Sequence, residues 1–151
     1  MAVLASYVGK CSKKVKNVVE RGAVKKFAEA IGDLHPIYWE EEAGKNSRYQ
    51  TNIAPPTFPR VFDYGVIEGL NLPAKGLIHG EQSFHYDRPL LVGEELFCYA
   101  KVESYDEKQS SMGNIGRLVI TSYGEDVLGN IIFTSTATII LTEAVRKAMM
   151  V

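Results

Sequence analysis

The sequence has few of the features that mark secreted, membrane or metal-binding proteins. Its 151 residues include two cysteines, Cys11 and Cys98, which lie far apart and match no metal-ligand spacing. No apolar run reaches the length of a membrane span, and the N-terminus lacks both a basic region and a small-residue cleavage pattern. We therefore expect reduced thiols, a cytoplasmic location, and neither a metal nor another cofactor.

An excess of charge of either sign is also lacking. Lys and Arg number 17 against 18 Asp and Glu, so the formal net charge is −1, and both signs are scattered. Proteins that bind nucleic acid or anionic membranes carry basic patches, so we expect neither partner. The 46% apolar content is enough for one core, and no linker divides the chain. The sequence therefore predicts a single domain over residues 1–151.

A proline-rich stretch at residues 51–59 precedes the strongest helical pattern. Prolines fix φ and remove backbone donors, so this stretch is a rigid lead-in. Apolar residues then recur at three- and four-residue spacing: Phe58, Val61, Phe62, Val66, Ile67 and Leu70. This spacing predicts a buried helix with Thr57 as N-cap and Pro59 in the first turn. Gly65 and Gly69 predict a smooth helix face that a curling sheet approaches closely.

The remaining patterns predict short helices before this segment and strands after it. We expect a helix within residues 1–10, a strand at 15–19, an amphipathic helix at 21–31, a loop at 32–38 and an acidic helix at 39–45. Alternating residues predict strands at 77–87 and 95–103, and Val, Ile, Thr and Tyr content predicts two more at 115–123 and 130–141. Together they form a four-strand antiparallel meander, with a short strand at 15–19 as a fifth. One strand has a polar face: His79, Glu81, Ser83, His85 and Asp87. Of these, His79, Glu81 and His85 resemble metal ligands in type, but such a face is more often solvent or interface.

Three motifs occur in the order found in a known family. They are residues 30–38 (AIGDLHPIY), 53–58 (IAPPTF) and 77–90 (LIHGEQSFHYDRPL). The chain resembles the MaoC-like dehydratase family, and specifically its N-terminal, non-catalytic type of half, from about residue 18 to residue 141.

The resemblance implies an α+β hot-dog fold, in which an antiparallel sheet wraps around a long central helix, here with extra N-terminal helices. It also implies that two such units pair and that acyl thioesters of CoA or acyl carrier protein bind at the pairing. Catalytic members hydrate enoyl thioesters or dehydrate (R)-3-hydroxyacyl thioesters. The expected partner is a second hot-dog unit, in a homodimer or in a heterodimer with a catalytic subunit.

The loop at 32–38 departs from the pattern of catalytic members, G-D-x-N-P-x-H. Asp33 and Pro36 match, but His35 stands where Asn is expected and Tyr38 replaces the His. A phenol, with an unperturbed pKa near ~10, is a poorer general base at neutral pH than an imidazole. Asp33, His35 and Tyr38 therefore remain the catalytic candidates, with half of the family's acid-base pair missing.

A second departure concerns the thioester oxygen. Catalytic members have His-Gly where this chain has Pro55 and Pro56, and the Gly amide helps to bind the oxygen. Proline has no N–H to donate, and losing one such donor costs on the order of 100-fold in rate. These substitutions are typical of the non-catalytic half of two-part hydratases, which shapes the acyl pocket. The expected substrate-binding residues are Pro55, Pro56, Thr57, Phe58, Arg60, His79, Gly80 and Arg88.

Other interpretations remain open at this stage. The chain could be an independent dehydratase that uses Asp33 with His35 or Tyr38, or a hot-dog thioesterase that uses a helix carboxylate, Asp63 or Glu68. It could also be a non-enzymatic acyl-CoA-binding module. Further basic residues could meet the phosphates of CoA or of a phosphopantetheine arm: Lys45, Arg48 and Lys75. Further aromatic residues could line an acyl groove or belong to the core: Tyr49, Phe62 and Phe84.

Overall fold

The computed structural model describes residues 2–149 and consists of five short helices, a single 3₁₀ turn and five strands. In chain order these are α1 (Ala2–Ala5), β1 (Val15–Val18), α2 (Arg21–Ala30), α3 (Pro36–Trp39), α4 (Glu41–Lys45), the 3₁₀ turn (Phe58–Val61), β2 (Leu77–Tyr86), β3 (Glu95–Ser110), β4 (Gly113–Glu125), β5 (Ile131–Leu141) and α5 (Glu143–Met149). The first helix, β1, α2 and a helix within residues 39–45 were predicted, whereas α5 was not. The predicted loop at 32–38 is wrong from Pro36 onward, because Pro36 begins α3 and the chain breaks at Glu40 before α4. No helix between residues 2 and 149 is both long and apolar enough to cross a membrane.

The five strands form one antiparallel sheet in the order β1-β3-β4-β5-β2. Strand β2 pairs with β5, from Leu77 opposite Leu141 to Tyr86 opposite Phe133, and forms one edge of the sheet. The antiparallel α+β architecture is therefore as predicted, but the simple four-strand meander is wrong. Residues 87–94 carry the chain across the end of the sheet, so that β3 begins on the far side, beside β1.

The inner face of the sheet packs on helix α2 through a chain of aromatic rings. Phe58 is fully buried, and its ring lies 5.5 Å from that of Phe27 and 5.4 Å from that of Phe62, nearly perpendicular to both. Phe62 in turn contacts Phe133 of β5, with ring centroids 6.1 Å apart. Burying a Phe side chain stabilises a fold by roughly 1.5–3 kcal/mol, so Phe58 is a main link between α2 and the sheet.

The long helix predicted from residue 58 onward is wrong beyond its first turn. Pro59 lies in that turn as predicted, and Thr57 occupies the N-cap position without a side-chain capping bond. Residues 62–70 are irregular, because Gly65 and Gly69 adopt φ values of 75° and 82°, which an α-helix excludes. A Cβ at Gly65 would lie 2.8 Å from the Lys13 carbonyl oxygen. The predicted close approach therefore exists, but the approaching backbone belongs to the N-terminal segment.

Candidate functional site

A cavity of about 320 Å³ opens at the Tyr86 end of β2. It lies where the proline-rich segment, helix α3 and the chain that follows β2 come together. Its wall is mostly apolar and aromatic, with two arginines and one carboxylate: Tyr38, Arg48, Tyr49, Ile53, Ala54, Pro56, Tyr86, Asp87, Arg88 and Pro89. Of the residues singled out from the sequence as site candidates, the structure brings Tyr38, Pro56 and Arg88 together here, along with Arg48 and Tyr49.

Asn52 holds the wall of the cavity in place. The side chain is buried, and its Nδ2 donates to the carbonyl oxygens of Ile37 and Glu40, both at 2.8 Å. Its Oδ1 accepts a hydrogen bond from Arg21 Nη1 at 2.6 Å. A buried amide with its bonds satisfied specifies one arrangement of its neighbours. Asn52 thereby fixes α3, and with it Tyr38, against α2 and the proline-rich segment.

His35 has a structural role at the start of helix α3. Its Nδ1 accepts a hydrogen bond from the Ile37 N–H at 3.2 Å, which caps the helix, and Pro36 occupies the first helical position. The His35 N–H in turn donates to Asp33 Oδ1 at 3.3 Å. In a neutral imidazole, an accepting Nδ1 leaves the proton on Nε2. Both Asp33 and His35 are exposed, and neither contributes to the cavity wall.

Tyr38 is the only one of the three catalytic candidates that lines the cavity. Burial of the phenol raises its pKa above the ordinary value, and the neighbouring Asp33 carboxylate raises it further. The hydroxyl therefore stays protonated at neutral pH and is not a general base. Asp33 in the exposed loop, His35 at the N-cap of α3 and Tyr38 within α3 thus form no acid-base pair that faces the cavity.

At Ile53, Ala54, Pro55, Pro56 and Phe58, the proline-rich segment presents no free backbone donor to a thioester oxygen. Pro55 and Pro56 have no N–H, and the N–H groups of Ile53 and Ala54 donate to the carbonyl oxygens of Ile37 and Leu90, at 3.3 and 2.9 Å. The Phe58 N–H is also engaged, with the Pro55 carbonyl at 2.9 Å. An oxyanion site needs free donors about 3 Å from the oxygen. The replacement of His-Gly by Pro55 and Pro56, noted in the sequence, therefore leaves these positions without a donor for the thioester oxygen in the structure.

Tyr86 closes the cavity on the β2 side and is a residue that the sequence reasoning missed. Its hydroxyl donates to the Pro56 carbonyl oxygen at 2.5 Å, and burial raises its pKa well above the ordinary value. The alternation along β2 does place Tyr86 on the same side as Phe84, and that side proves to be the inner face of the sheet. Asp87 follows Tyr86 in the cavity wall and was also missed as a site residue.

The two arginines of the cavity differ in their availability. Arg88 donates to both oxygens of Glu94, at 3.0 and 2.8 Å, and to the Pro89 carbonyl, so its guanidinium secures the turn before β3. Arg48 is exposed, lies over the Tyr49 ring and donates to its hydroxyl at 2.7 Å. Among the described residues, no carboxylate forms a salt bridge with Arg48. Arg48 is therefore the cation that remains free for an anionic ligand.

Several other candidates lie away from the cavity. Thr57 and Arg60 are exposed on the 3₁₀ turn, Pro55 and Phe58 are buried, and His79 and Gly80 occupy the opposite half of β2. Asp63 and Glu68 lie in the irregular segment, so the helix that the thioesterase interpretation required is absent there. Across the part of the chain that the structure describes, no three His, Cys, Asp or Glu side chains come together as a metal site.

Comparison with solved structures identifies the fold. The chain superposes on the HadBC (3R-hydroxyacyl-ACP dehydratase) complex of Mycobacterium tuberculosis with a TM-score of 0.70 and 22% identity, over 89% of this chain and 96% of that one. A MaoC-like dehydratase from Rhodospirillum rubrum superposes with a TM-score of 0.67 and 23% sequence identity, over 89% of this chain and 92% of that chain. The fold is a hot-dog fold, as the resemblance to MaoC-like proteins implied.

Sequence comparison identifies the family. The profile described as "FAS1-like, dehydratase domain region" matches residues 6–135. A UPF0336 protein of Streptomyces avermitilis is 35% identical over 111 residues, which cover 69% of this chain and 74% of the relative. The chain belongs to this FAS1-like dehydratase-region family, together with the UPF0336 proteins.

Proposed function

We propose that the chain binds acyl thioesters and serves as the non-catalytic subunit of an R-specific enoyl-CoA hydratase or (R)-3-hydroxyacyl thioester dehydratase. One observation carries the proposal: the cavity wall is a shaped, mostly apolar surface in which Tyr38 stands in place of the family's His and Pro56 has no N–H for a thioester oxygen. Its two inner phenols are protonated, and the Ile53 and Ala54 N–H groups are already bonded. Such a wall can position an acyl group, but a partner must supply the catalytic Asp and His.

The size and chemistry of the cavity suit the acyl end of a thioester. Ligand pockets usually measure about 300–1,000 Å³ and are lined by apolar and aromatic groups with a few polar ones. The cavity, at about 320 Å³, is at the lower end of this range and fits a short acyl group. Arg48 at the rim is the favoured contact for a CoA or phosphopantetheine phosphate, in preference to Arg88, whose guanidinium is held by Glu94.

The proposed assembly is a pair of hot-dog units joined through strand β2. This strand is a free sheet edge of 10 residues with neither Pro nor Lys, interrupted by a register shift between His79 and Glu81. The HadBC structure, a complex of hot-dog subunits, supports such a partner. The second unit is either a copy of this chain or a catalytic subunit that supplies the missing acid-base residues. Sedimentation of a monomer at micromolar concentration would count against the pairing.

Binding and turnover can be measured separately. We expect the purified chain to bind crotonyl-CoA in a calorimetric titration while hydrating it at a rate near background. Addition of a catalytic MaoC-like subunit should raise hydration above the rate of that subunit alone. Arg48→Ala should weaken binding by roughly tenfold, since a charged hydrogen bond contributes about 1.5 kcal/mol or more. Arg117→Ala, at an exposed arginine on the distant β3–β4 hairpin, is the matched control.

The alternatives give different results in the same experiments. An independent dehydratase would hydrate crotonyl-CoA at ordinary enzymatic rates without a partner. A non-enzymatic binding module would bind the thioester equally well but would leave the rate of every catalytic subunit unchanged. Absence of binding to any short acyl-CoA would contradict the proposal itself.

A further inference from the structure

The ring of Tyr86 forms the inner end of the cavity, whose proposed role in binding an acyl group underlies this inference. One side of the ring lines the cavity, and the other packs against Phe133 of β5, with ring centroids 5.9 Å apart. Phe133 belongs to the core and contacts Phe62. The Tyr86 ring therefore separates the cavity from the aromatic core.

Two contacts hold this ring in place. The Tyr86 hydroxyl donates to the Pro56 carbonyl oxygen at 2.5 Å, and the φ of Pro56 is fixed by its own ring, so the acceptor is rigid. Phe133 supports the other side, and its ring lies over Gly124, the residue opposite it on β4. A Cβ at Gly124 would collide with the Phe133 ring, so the glycine is what lets that ring lie flat against the sheet. The end of the cavity is thus a fixed wall.

This wall limits the space that a ligand can reach. The cavity measures about 320 Å³ and ends at the Tyr86 ring. An acyl group longer than the cavity must either leave methylene groups in water or displace the ring and break its hydrogen bond to Pro56. The residues behind the ring, Phe62 and Phe133, are apolar, and Phe133 is fully buried. Space opened there would be an apolar cavity, which stays dry and accepts hydrocarbon.

We propose that the Tyr86 ring sets the maximum length of the acyl group that the cavity accepts. A short acyl group extends as far as the ring, and each methylene that it buries on the way tightens binding. A longer group binds no more tightly, because its additional methylenes meet the ring and remain in water. Tyr86 is therefore a specificity-determining residue, and the preferred substrates are thioesters of short acyl groups.

Calorimetric titration with butyryl-, hexanoyl- and octanoyl-CoA tests the limit. In the wild type, octanoyl-CoA should bind no more tightly than hexanoyl-CoA. Tyr86→Ala removes the ring and joins the cavity to the space beside Phe133. Each methylene buried there should tighten binding by about fourfold, so octanoyl-CoA should bind this variant at least about tenfold more tightly than it binds the wild type. The affinity for butyryl-CoA, which does not reach the ring's position, should be nearly unchanged.

Three further variants serve as controls. Tyr86→Phe keeps the ring and should keep the wild-type order of affinities. Tyr123→Ala makes the same truncation on the opposite face of the sheet, where Tyr123 stacks on Tyr99 with ring centroids 4.8 Å apart, and should change none of the three affinities. Tyr86→Leu replaces the ring by a smaller apolar side chain. It should show the same shift toward octanoyl-CoA to a lesser degree, and it provides the test if Tyr86→Ala does not fold.

The results separate failure of this inference from failure of the proposed function. If the wild type binds octanoyl-CoA as tightly as Tyr86→Ala and Tyr86→Leu do, the ring does not limit acyl length, although acyl-thioester binding stands. A shift of the same size in Tyr123→Ala would likewise overturn the role of Tyr86, because it would show a general loosening of the sheet. If the wild type binds none of the three thioesters, the proposed function fails, and the inference fails with it.

Discussion

The side chain of Asn17 pairs with the backbone of Asp63 in both directions. Its Nδ2 donates to the Asp63 carbonyl oxygen at 2.8 Å, and its Oδ1 accepts from the Asp63 N–H at 3.0 Å. Ser12 and Tyr7 make similar bonds to the carbonyl oxygens of Tyr64 and Gly69, at 2.5 and 2.7 Å. Side chains that bond backbone groups compete with helix formation. The N-terminal segment therefore holds residues 62–70 in their irregular path.

Gly65→Ala should destabilise the fold by more than about 1 kcal/mol. The substitution requires a left-handed residue at φ 75° and places a Cβ 2.8 Å from the Lys13 carbonyl oxygen. Gly22→Ala is the matched control, because Gly22 lies in helix α2 with open space around its Cβ. It should stabilise the protein by about 0.5–1 kcal/mol. Denaturant unfolding of the two variants should thus shift in opposite directions, and equal shifts would contradict the positions assigned to these glycines.

Arg146→Ala should cost about 2–3 kcal/mol of unfolding free energy. Its side chain, 10% exposed, joins helix α5 to the β3–β4 hairpin through Glu107, the Tyr105 hydroxyl and the Asn114 carbonyl. Arg117→Ala removes an exposed pair with Asp106 on the same hairpin and should cost far less, because solvent screens exposed ion pairs. Thermal unfolding measures the loss of stability in both variants. Similar losses of stability for Arg146→Ala and Arg117→Ala would show that Arg146 does not secure α5.

Cys98 should resist alkylation in the native protein. The thiol is fully buried, and burial raises its pKa to about 12. The unfolded state releases this proton first, so the free energy of unfolding should decrease as pH rises from near the ordinary value of 9.0 toward 12. In mildly alkaline buffer, a maleimide should react only with the Cys11 thiol of the native protein. In the denatured protein it should react with both Cys11 and Cys98. A fast-reacting thiol in native Cys11→Ser protein would contradict the burial of Cys98.

Hydration of crotonyl-CoA by the chain alone should be near background and should not change in Asp33→Ala. Tyr38→His should restore little activity, because Pro55 and Pro56 still offer no donor to the thioester oxygen. Steady-state hydration rates of the wild type, Asp33→Ala and Tyr38→His test this prediction. Ordinary turnover that Asp33→Ala abolishes would refute the non-catalytic assignment and place the acid-base role on Asp33 with His35 or Tyr38.

Much of the site was visible in the sequence because local chemistry determines it. Pro55 and Pro56 lack donors in any fold. The start of helix α3 was less visible, because Pro36 disfavours helix at His35 and was therefore predicted to lie in a loop, whereas it occupies the first helical position. Alternation of apolar and polar residues marked β2 and the first half of β3, since the period of two belongs to the strand itself, and Val, Ile, Thr and Tyr content marked β4 and β5. The α+β class and the unusual loop at 32–38 followed from these signals.

The tertiary structure alone decided the path of residues 62–70 and the strand order. The apolar spacing of this segment is helical, yet Val66 is 77% exposed, and Gly65 and Gly69 are left-handed. The bonds from Asn17 and Tyr7 that impose this path join residues 46 and 62 positions apart in the sequence, beyond the reach of any local pattern. The pairing of β2 with β5 and the bond from Tyr86 to Pro56 are likewise long-range, because packing of the inner face, and not local propensity, selects the partner of an edge strand.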